Sequence, residues 1–222
     1  MNSQTLELVL LSFPVLLLAF CVHEFMHAWV ALKQGDDTAY QQGRVTLDPR
    51  AHIDPLGSIV FPLVGAFANA PIIGWAKPTP TNPSKYRNYK RGDILVSLAG
   101  VVGNLGLALL FAALHLVAMM VMRRMGATPL LVTVDNLFRV GVDINVALIF
   151  FNLLPVPPLD GSRIIVHFLS ARGAQTYAEL SRYGVLILYG LLFMGGFNFI
   201  GPLANAMNTV VVRLVDLPFG LQ

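Results

Sequence analysis

Charged side chains are scarce in this chain: Asp, Glu, Lys and Arg make up only 12% of its 222 residues. A soluble domain carries about 25% charged residues. Because 55% of the residues are hydrophobic, too little polar surface remains for a large soluble domain. The sequence therefore predicts an integral membrane protein, and we expect residues 1–222 to form a single membrane-embedded domain.

Cysteine and net charge are low as well. Cys21 is the one cysteine, which excludes a disulfide within the chain and argues against redox chemistry. The formal net charge is +3, and the basic residues are dispersed, so nucleic acid is not an expected partner. The N-terminal residues MNSQTLEL lack the basic region and cleavage site of a signal peptide. We therefore expect the first apolar segment to be retained.

Long apolar runs are present instead. They predict an all-α polytopic membrane protein with about four to six transmembrane or re-entrant segments. The runs occupy residues 5–33, 56–75, 93–122, 134–154 and 183–215. The second run contains prolines and several glycines, so it could span the membrane or re-enter on the same side. The last run is interrupted by Gly195-Gly196 and Gly201-Pro202 and could be one helix plus an interfacial piece, or two short helices.

Positive charges distinguish the two sides of the membrane. If residues 56–75 re-enter, residues 33–91 carry eight Lys and Arg, and residues 156–182 carry three more on the same side. Cytoplasmic loops carry the excess of Lys and Arg. We therefore expect this side to face the cytosol and the N-terminus to lie outside. If residues 56–75 span, the bias largely cancels.

The motif His23-Glu24-Phe25-Met26-His27 follows the apolar residues 8–22. Residues i and i+4 share one face of an α-helix, so both histidines can direct a ring nitrogen at one metal ion. Glu24 lies beside that face and can take a proton from an attacking water. A chance pattern is the alternative, but ionisable groups in apolar surroundings are costly unless paired or bound to metal. His27 lies roughly 9 Å from Lys33 along a helix, which places the site within the membrane toward its cytosolic end.

Catalytic zinc needs a third protein ligand and one open position. Asp160 is a candidate because it follows the fourth apolar run at a proline-rich break. In the topology above, it also lies on the same side of the membrane as the two histidines. The alternative is that Asp160 is the N-cap of the next helix. Position alone does not decide between the two roles.

Several motifs together resemble the site-2 protease family of intramembrane zinc metalloproteases, in the compact bacterial type without PDZ or CBS domains. The resemblance covers roughly residues 17–215, nearly the whole chain. It rests on the histidine motif and on residues 152–161, which are similar to the family's Asn-Pro-Asp-Gly region. Further family-like stretches are Gly35-Asp36 and residues 43–49, 52–57 and 74–78. Two positions depart from the family: Val101 replaces a proline, and Asp48 stands where asparagine is frequent.

The resemblance implies a mechanism and a location. His23, His27 and Asp160 would hold one Zn²⁺ per chain, in a bacterial cytoplasmic membrane. Glu24 would act as the general base toward the attacking water and return the proton to the leaving amine. Asn104 would help to polarise the oxyanion. The alternative for Asn104 is a hydrogen bond between helices.

A transmembrane substrate must unwind before cleavage, because its backbone groups are hydrogen-bonded within a helix. The alternation of Arg44, Val45, Thr46 and Leu47 predicts a small β element near the active site, which could accept the unwound segment by β-addition. An ordinary connecting turn is the alternative. Asn145 and Asn152 share a helix face and are candidates for substrate contact or for packing.

The sequence thus predicts an intramembrane zinc endopeptidase that acts on membrane-protein or peptide substrates within the lipid bilayer, as in regulated intramembrane proteolysis. One alternative is an ion- or proton-coupled transporter, although no inverted repeat is evident. Another is an inactive zinc-binding membrane scaffold, which would not need Glu24. The sequence leaves the substrate and the oligomeric state open.

Overall fold

The computed structural model describes residues 3–67, 74–195 and 198–216, and these residues form helices joined by loops. The α-helices are α1 (Ser3–Gln34), α2 (Thr38–Gln41), α3 (Phe61–Phe67), α4 (Tyr89–Met125), α5 (Pro129–Asn152), α6 (Asp160–Val166), α7 (Ala171–Ser181), α8 (Gly184–Phe193) and α9 (Ile200–Asp216). Two 3-10 turns, Pro49–Ala51 and Pro83–Lys85, and a π-helical segment, Pro55–Val60, lie between α2 and α4. The all-α class is confirmed. The last apolar run forms two short helices, α8 and α9.

Capping residues set the ends of the longer helices. The side chain of Asn88 accepts a hydrogen bond from the backbone N–H of Arg91 at the start of α4. At the start of α5, the Thr128 side chain accepts from the backbone of Leu131, and proline occupies the first helical position. Both arrangements satisfy backbone donors that have no partner within the helix. Gly126 ends α4 with φ +88°, a conformation that favours glycine.

Among the described residues, two helices are long and apolar enough to cross a membrane: Val9–Gln34 within α1, and α4. Helix α5 is 24 residues long but carries Asp135, Arg139 and Asp143. The structure therefore supports a membrane protein, whereas the predicted total of four to six segments stays a prediction.

The core lies where α1, α4, α5 and α9 pack together. Small residues allow these helices to approach closely, as is typical of membrane proteins. For example, a Cβ placed at Gly141 of α5 would lie 2.4 Å from the Phe111 ring of α4. The buried core residues are Val15, Ala19, Leu107, Ala108, Phe111, Ala112, Val142, Val146, Ala204 and Val211.

The second apolar run returns to its starting point. The backbone N–H of Trp75 donates to the carbonyl of Gly57 at 3.1 Å, and the Ser58 hydroxyl donates to the carbonyl of Trp75 at 2.7 Å. Because its two ends are hydrogen-bonded to each other, this run cannot connect opposite sides of a membrane. The contacts favour the re-entrant interpretation. Residues 68–73, within the run, lie outside the described residues.

The predicted β element is not found: residues 44–47 form a loop with a bend at residues 45 and 46, and no strand occurs among the described residues. The prediction was wrong because local turns take the backbone donors that a strand would need. The N–H of Arg44 donates to the carbonyl of Ala39 at 2.9 Å, and the N–H of Asp48 donates to the Thr46 hydroxyl at 3.1 Å. The turn alternative is therefore correct.

Candidate metal centre

The two histidines of the α1 motif meet on one face of the helix. Their Nε2 atoms lie 3.0 Å apart, and both side chains are buried. One helical turn separates His23 from His27, so this half of the site follows directly from the helix geometry.

Asp160 joins the histidines from the opposite side of the site. Its Oδ2 atom lies 3.2 Å from the Nε2 atom of His23 and 3.2 Å from that of His27. This oxygen is buried and has no hydrogen-bond partner among the described residues. The N-cap position of α6 is Leu159, and Asp160 is the first helical residue, so the structure does not support the capping alternative.

The donor set fits a zinc ion. One ligand atom from each of His23, His27 and Asp160 lies within 4.8 Å of the other two. Two imidazole nitrogens and one carboxylate oxygen are a known ligand set of catalytic zinc. A buried carboxylate oxygen without a donor is costly, and a cation at this position would satisfy it. The sequence analysis named these three residues, and the fold brings them together.

Helix α4 fixes the orientation of both imidazoles. The Nδ1 atom of His23 lies 2.6 Å from Oδ1 of Asn104, and that of His27 lies 2.7 Å from the backbone carbonyl of Val96. Because an amide oxygen and a carbonyl only accept, each Nδ1 must carry the proton, and each Nε2 directs its lone pair toward the metal position. Nothing in the sequence indicated that the backbone carbonyl of Val96 would accept a hydrogen bond from His27.

Asn104 belongs to a buried polar chain between helices. Its Nδ2 atom donates to Oδ1 of Asn145 at 2.9 Å, and Nδ2 of Asn145 donates to the carbonyl of Gly141 at 2.8 Å. Both asparagines are fully buried. In these contacts, Asn104 orients the ring of His23. Its predicted role in polarising the oxyanion stays a prediction. Asn152 donates to the carbonyl of Leu148 within its own helix at 3.0 Å.

Gly100 allows α4 to approach the site. A Cβ at this position would lie 2.4 Å from Cε1 of His23, far inside van der Waals contact. Glycine is therefore required for α4 to pass directly behind the imidazole. No role for Gly100 was predicted from the sequence.

Glu24 is held by the extended segment that precedes α4. The backbone N–H of Thr79 donates to Oε2 of Glu24 at 2.7 Å, and the Thr79 hydroxyl donates to the backbone carbonyl of Glu24 at 2.9 Å. Arg44 fixes the same segment, because its guanidinium donates to the carbonyl of Lys77 at 2.6 Å. The contact of Thr79 with Glu24 was not predicted from the sequence, although the residues just before it, 74–78, are family-like.

The remaining histidines lie away from the metal position. His52 is buried, and its ring donates to the backbone carbonyl of Thr46. His115 pairs with Asp135 near a cavity of about 420 Å³. His167 pairs with Asp93. None of these three was assigned to the metal centre from the sequence.

Comparisons with known proteins agree with this geometry. The model of the family described as "Peptidase family M50" matches residues 116–195. A protein of Bacillus subtilis (strain 168) named "Putative zinc metalloprotease YwhC" is 37% identical over 208 residues, covering 92% of this chain and 90% of its own length. The chain belongs to peptidase family M50. This is the site-2 protease family that the sequence motifs resemble.

Membership in M50 confirms the predicted enzyme class, a zinc metalloprotease. The Rip2 protein of Mycolicibacterium smegmatis, given the same description as YwhC, is 30% identical over 173 residues. That match covers 78% of this chain and 62% of the Rip2 protein. No solved structure matches this M50 chain.

Proposed function

We propose that this M50 metalloprotease is an intramembrane endopeptidase that cleaves peptide bonds in or near the transmembrane segments of other membrane proteins. The observation that carries the proposal is the position of the ligands. His23 and His27 lie on a helix long and apolar enough to span a membrane, and Asp160 meets them there. We propose a bacterial cytoplasmic membrane as the location, with the site toward the cytosolic side.

The depth of the site follows from the helix rise. His23 and His27 lie 11 and 7 residues before Gln34, the last residue of α1. At 1.5 Å per residue, these positions are about 16 Å and about 10 Å from that end. The hydrocarbon core of a bilayer is about 30 Å thick. The ligands therefore lie below the membrane surface, nearer to the basic end of the helix.

The three ligands would bind the metal ion, whereas Glu24 transfers protons. Bound by His23, His27 and Asp160, Zn²⁺ would supply a Lewis acid that polarises the scissile carbonyl and acidifies water. Glu24, next to His23 in sequence, takes a proton from the attacking water and delivers it to the leaving amine. The 2.7 Å hydrogen bond from Thr79 orients the Glu24 carboxylate. Asn104 and the carbonyl of Val96 keep the two imidazoles in the tautomer that can bind metal.

The proposal is tested by replacing Glu24 with glutamine. The variant should retain zinc, because Glu24 is not a ligand, and should lose cleavage of single-span membrane proteins by at least about 100-fold. Glu179→Gln is the matched control, because Glu179 is exposed on α7. Membranes from cells carrying each variant are compared by proteomics, and uncleaved substrates should accumulate only with Glu24→Gln. Undiminished cleavage by Glu24→Gln, or purified wild type without zinc, would overturn the proposal.

A further inference from the structure

The third ligand, Asp160, is held indirectly. It is the first residue of α6, a helix of only seven residues. Its buried Oδ2 lies 3.2 Å from each of the two imidazoles and has no hydrogen-bond partner among the described residues. The position of this oxygen therefore depends on where α6 lies relative to the rest of the fold.

The start of α6 is fixed by close packing. A Cβ at Gly161 would lie 2.2 Å from the carbonyl oxygen of Leu153, so the backbone of α6 rests directly on the end of α5. This contact fixes a point next to Asp160. A single point of contact does not fix the direction of a short helix.

One carboxylate of α4 fixes that direction. Asp93 accepts a hydrogen bond on Oδ1 from Nη2 of Arg163, and its Oδ2 lies 2.8 Å from Nε2 of His167. Arg163 and His167 lie three and seven residues after Asp160. The two oxygens of one side chain therefore hold α6 at a residue within the helix and at His167, the C-cap residue that follows it. The carboxylate of Asp93 and the ring of His167 are buried, with 9% and 7% of each side chain exposed. We call Asp93, Arg163 and His167 the α6 clamp.

The α6 clamp connects the third ligand to the same helix that orients the first two. Along α4, Asp93 holds α6, the carbonyl of Val96 one turn later binds His27, and Asn104 binds His23. Helix α4 therefore bears contacts to both halves of the metal centre.

We infer that Asp93 is a positioning residue, which acts through Arg163 and His167 to set the distance of Asp160 from the two histidines. The inference rests on the proposed function, because it takes the three ligands as the zinc site. Partners of this kind, one shell removed from the metal, typically change metal affinity by 10–100-fold when they are replaced.

The test measures zinc affinity by competition with a chelator, and coordination geometry by the visible absorption of the Co²⁺-substituted protein. Asp93→Asn should bind zinc about 10–100-fold more weakly and show an altered Co²⁺ spectrum. Asp37→Asn is the matched control: it breaks the ion pair with Lys85, 2.6 Å long, on the polar surface. It should leave both readouts unchanged.

A second variant covers the case in which Asp93→Asn does not fold. Asp93→Asn leaves the partly buried Arg163 charge without its carboxylate partner, which is destabilising. The double variant Asp93→Asn with Arg163→Met removes both charges and should fold. It should show the same loss of zinc affinity as Asp93→Asn alone, because replacing Asp93 already breaks the contact that Arg163 makes with it.

The outcomes separate the inference from the proposed function. His23→Ala should bind zinc far more weakly than wild type. If it does, and the Asp93 variants keep wild-type affinity and spectrum, the α6 clamp has only a structural role and the inference is wrong. If His23→Ala also keeps wild-type affinity, the zinc site itself is wrong, and the inference is overturned together with it.

Discussion

Replacement of Gly100 by alanine should damage the metal centre without altering a ligand. The added Cβ would lie 2.4 Å from Cε1 of His23 and 2.6 Å from both ring nitrogens. Carbon atoms in contact lie about 3.5–4.0 Å apart. Either the His23 ring or the whole of α4 must therefore move by about 1 Å.

A movement of that size is large for a metal site, where ligand distances hold to about 0.2 Å. It also disturbs the 2.6 Å contact between His23 and Asn104. We expect the zinc affinity of Gly100→Ala to fall by about 100-fold, the upper end of the range for groups that support metal ligands. The fold should lose less, because an overpacking cost of about 1–3 kcal/mol is offset by about 0.5–1 kcal/mol from replacing glycine within a helix.

Gly106→Ala provides the control on the same helix, since a Cβ at residue 106 meets no atom within 4 Å. Both variants are purified in detergent, their zinc affinity is measured against a chelator, and their thermal unfolding is recorded. Gly106→Ala should match wild type in affinity and unfold at the same or a slightly higher temperature. If Gly100→Ala binds zinc as tightly as Gly106→Ala, α4 does not pass as close to His23 as the structure indicates.

Three further outcomes can be measured. Asn104→Leu should weaken zinc binding about 10–100-fold, because Nδ1 of His23 loses its acceptor; titration against a chelator measures this, and an unchanged affinity would contradict it. Gly141→Ala should lower the stability of the fold by about 1–3 kcal/mol through its clash with Phe111, with zinc affinity retained. Burial lowers the pKa of His52, so its contribution to stability should be present above about pH 6.5, the ordinary histidine value, and be lost as the pH falls below it. His52→Gln should flatten that part of the stability profile, and an unchanged profile would show that His52 is not involved.

The sequence alone was sufficient for the parts of the site that depend on local geometry. His23 and His27 share a face because residues four apart on a helix always do. The apolar runs indicated a helical membrane protein because composition and length suffice for that prediction. Position in the sequence left two roles open for Asp160, zinc ligand and helix N-cap. The resemblance to a known family favoured the role of zinc ligand.

The sequence was misleading where the signal was short. Four alternating residues, 44–47, predicted a strand, but a strand exists only if a neighbouring backbone pairs with it. Instead, the guanidinium of Arg44 donates to the carbonyl of Lys77 and so holds the segment before α4 beside Glu24. The alternating residues belong to a turn in which the side chain of Arg44 is buried.

Only the tertiary structure decided what surrounds the ligands. The hydrogen-bond partners of His23, His27 and Glu24 lie on other elements: Asn104 is 81 residues from His23 in sequence, Val96 is 69 from His27, and Thr79 is 55 from Glu24. Such contacts depend on helix packing, which no local pattern encodes. The sequence therefore determined which groups could bind zinc, and the packing of α1 and α6 against α4 decided that they meet, because ligand positions must agree to a fraction of an ångström.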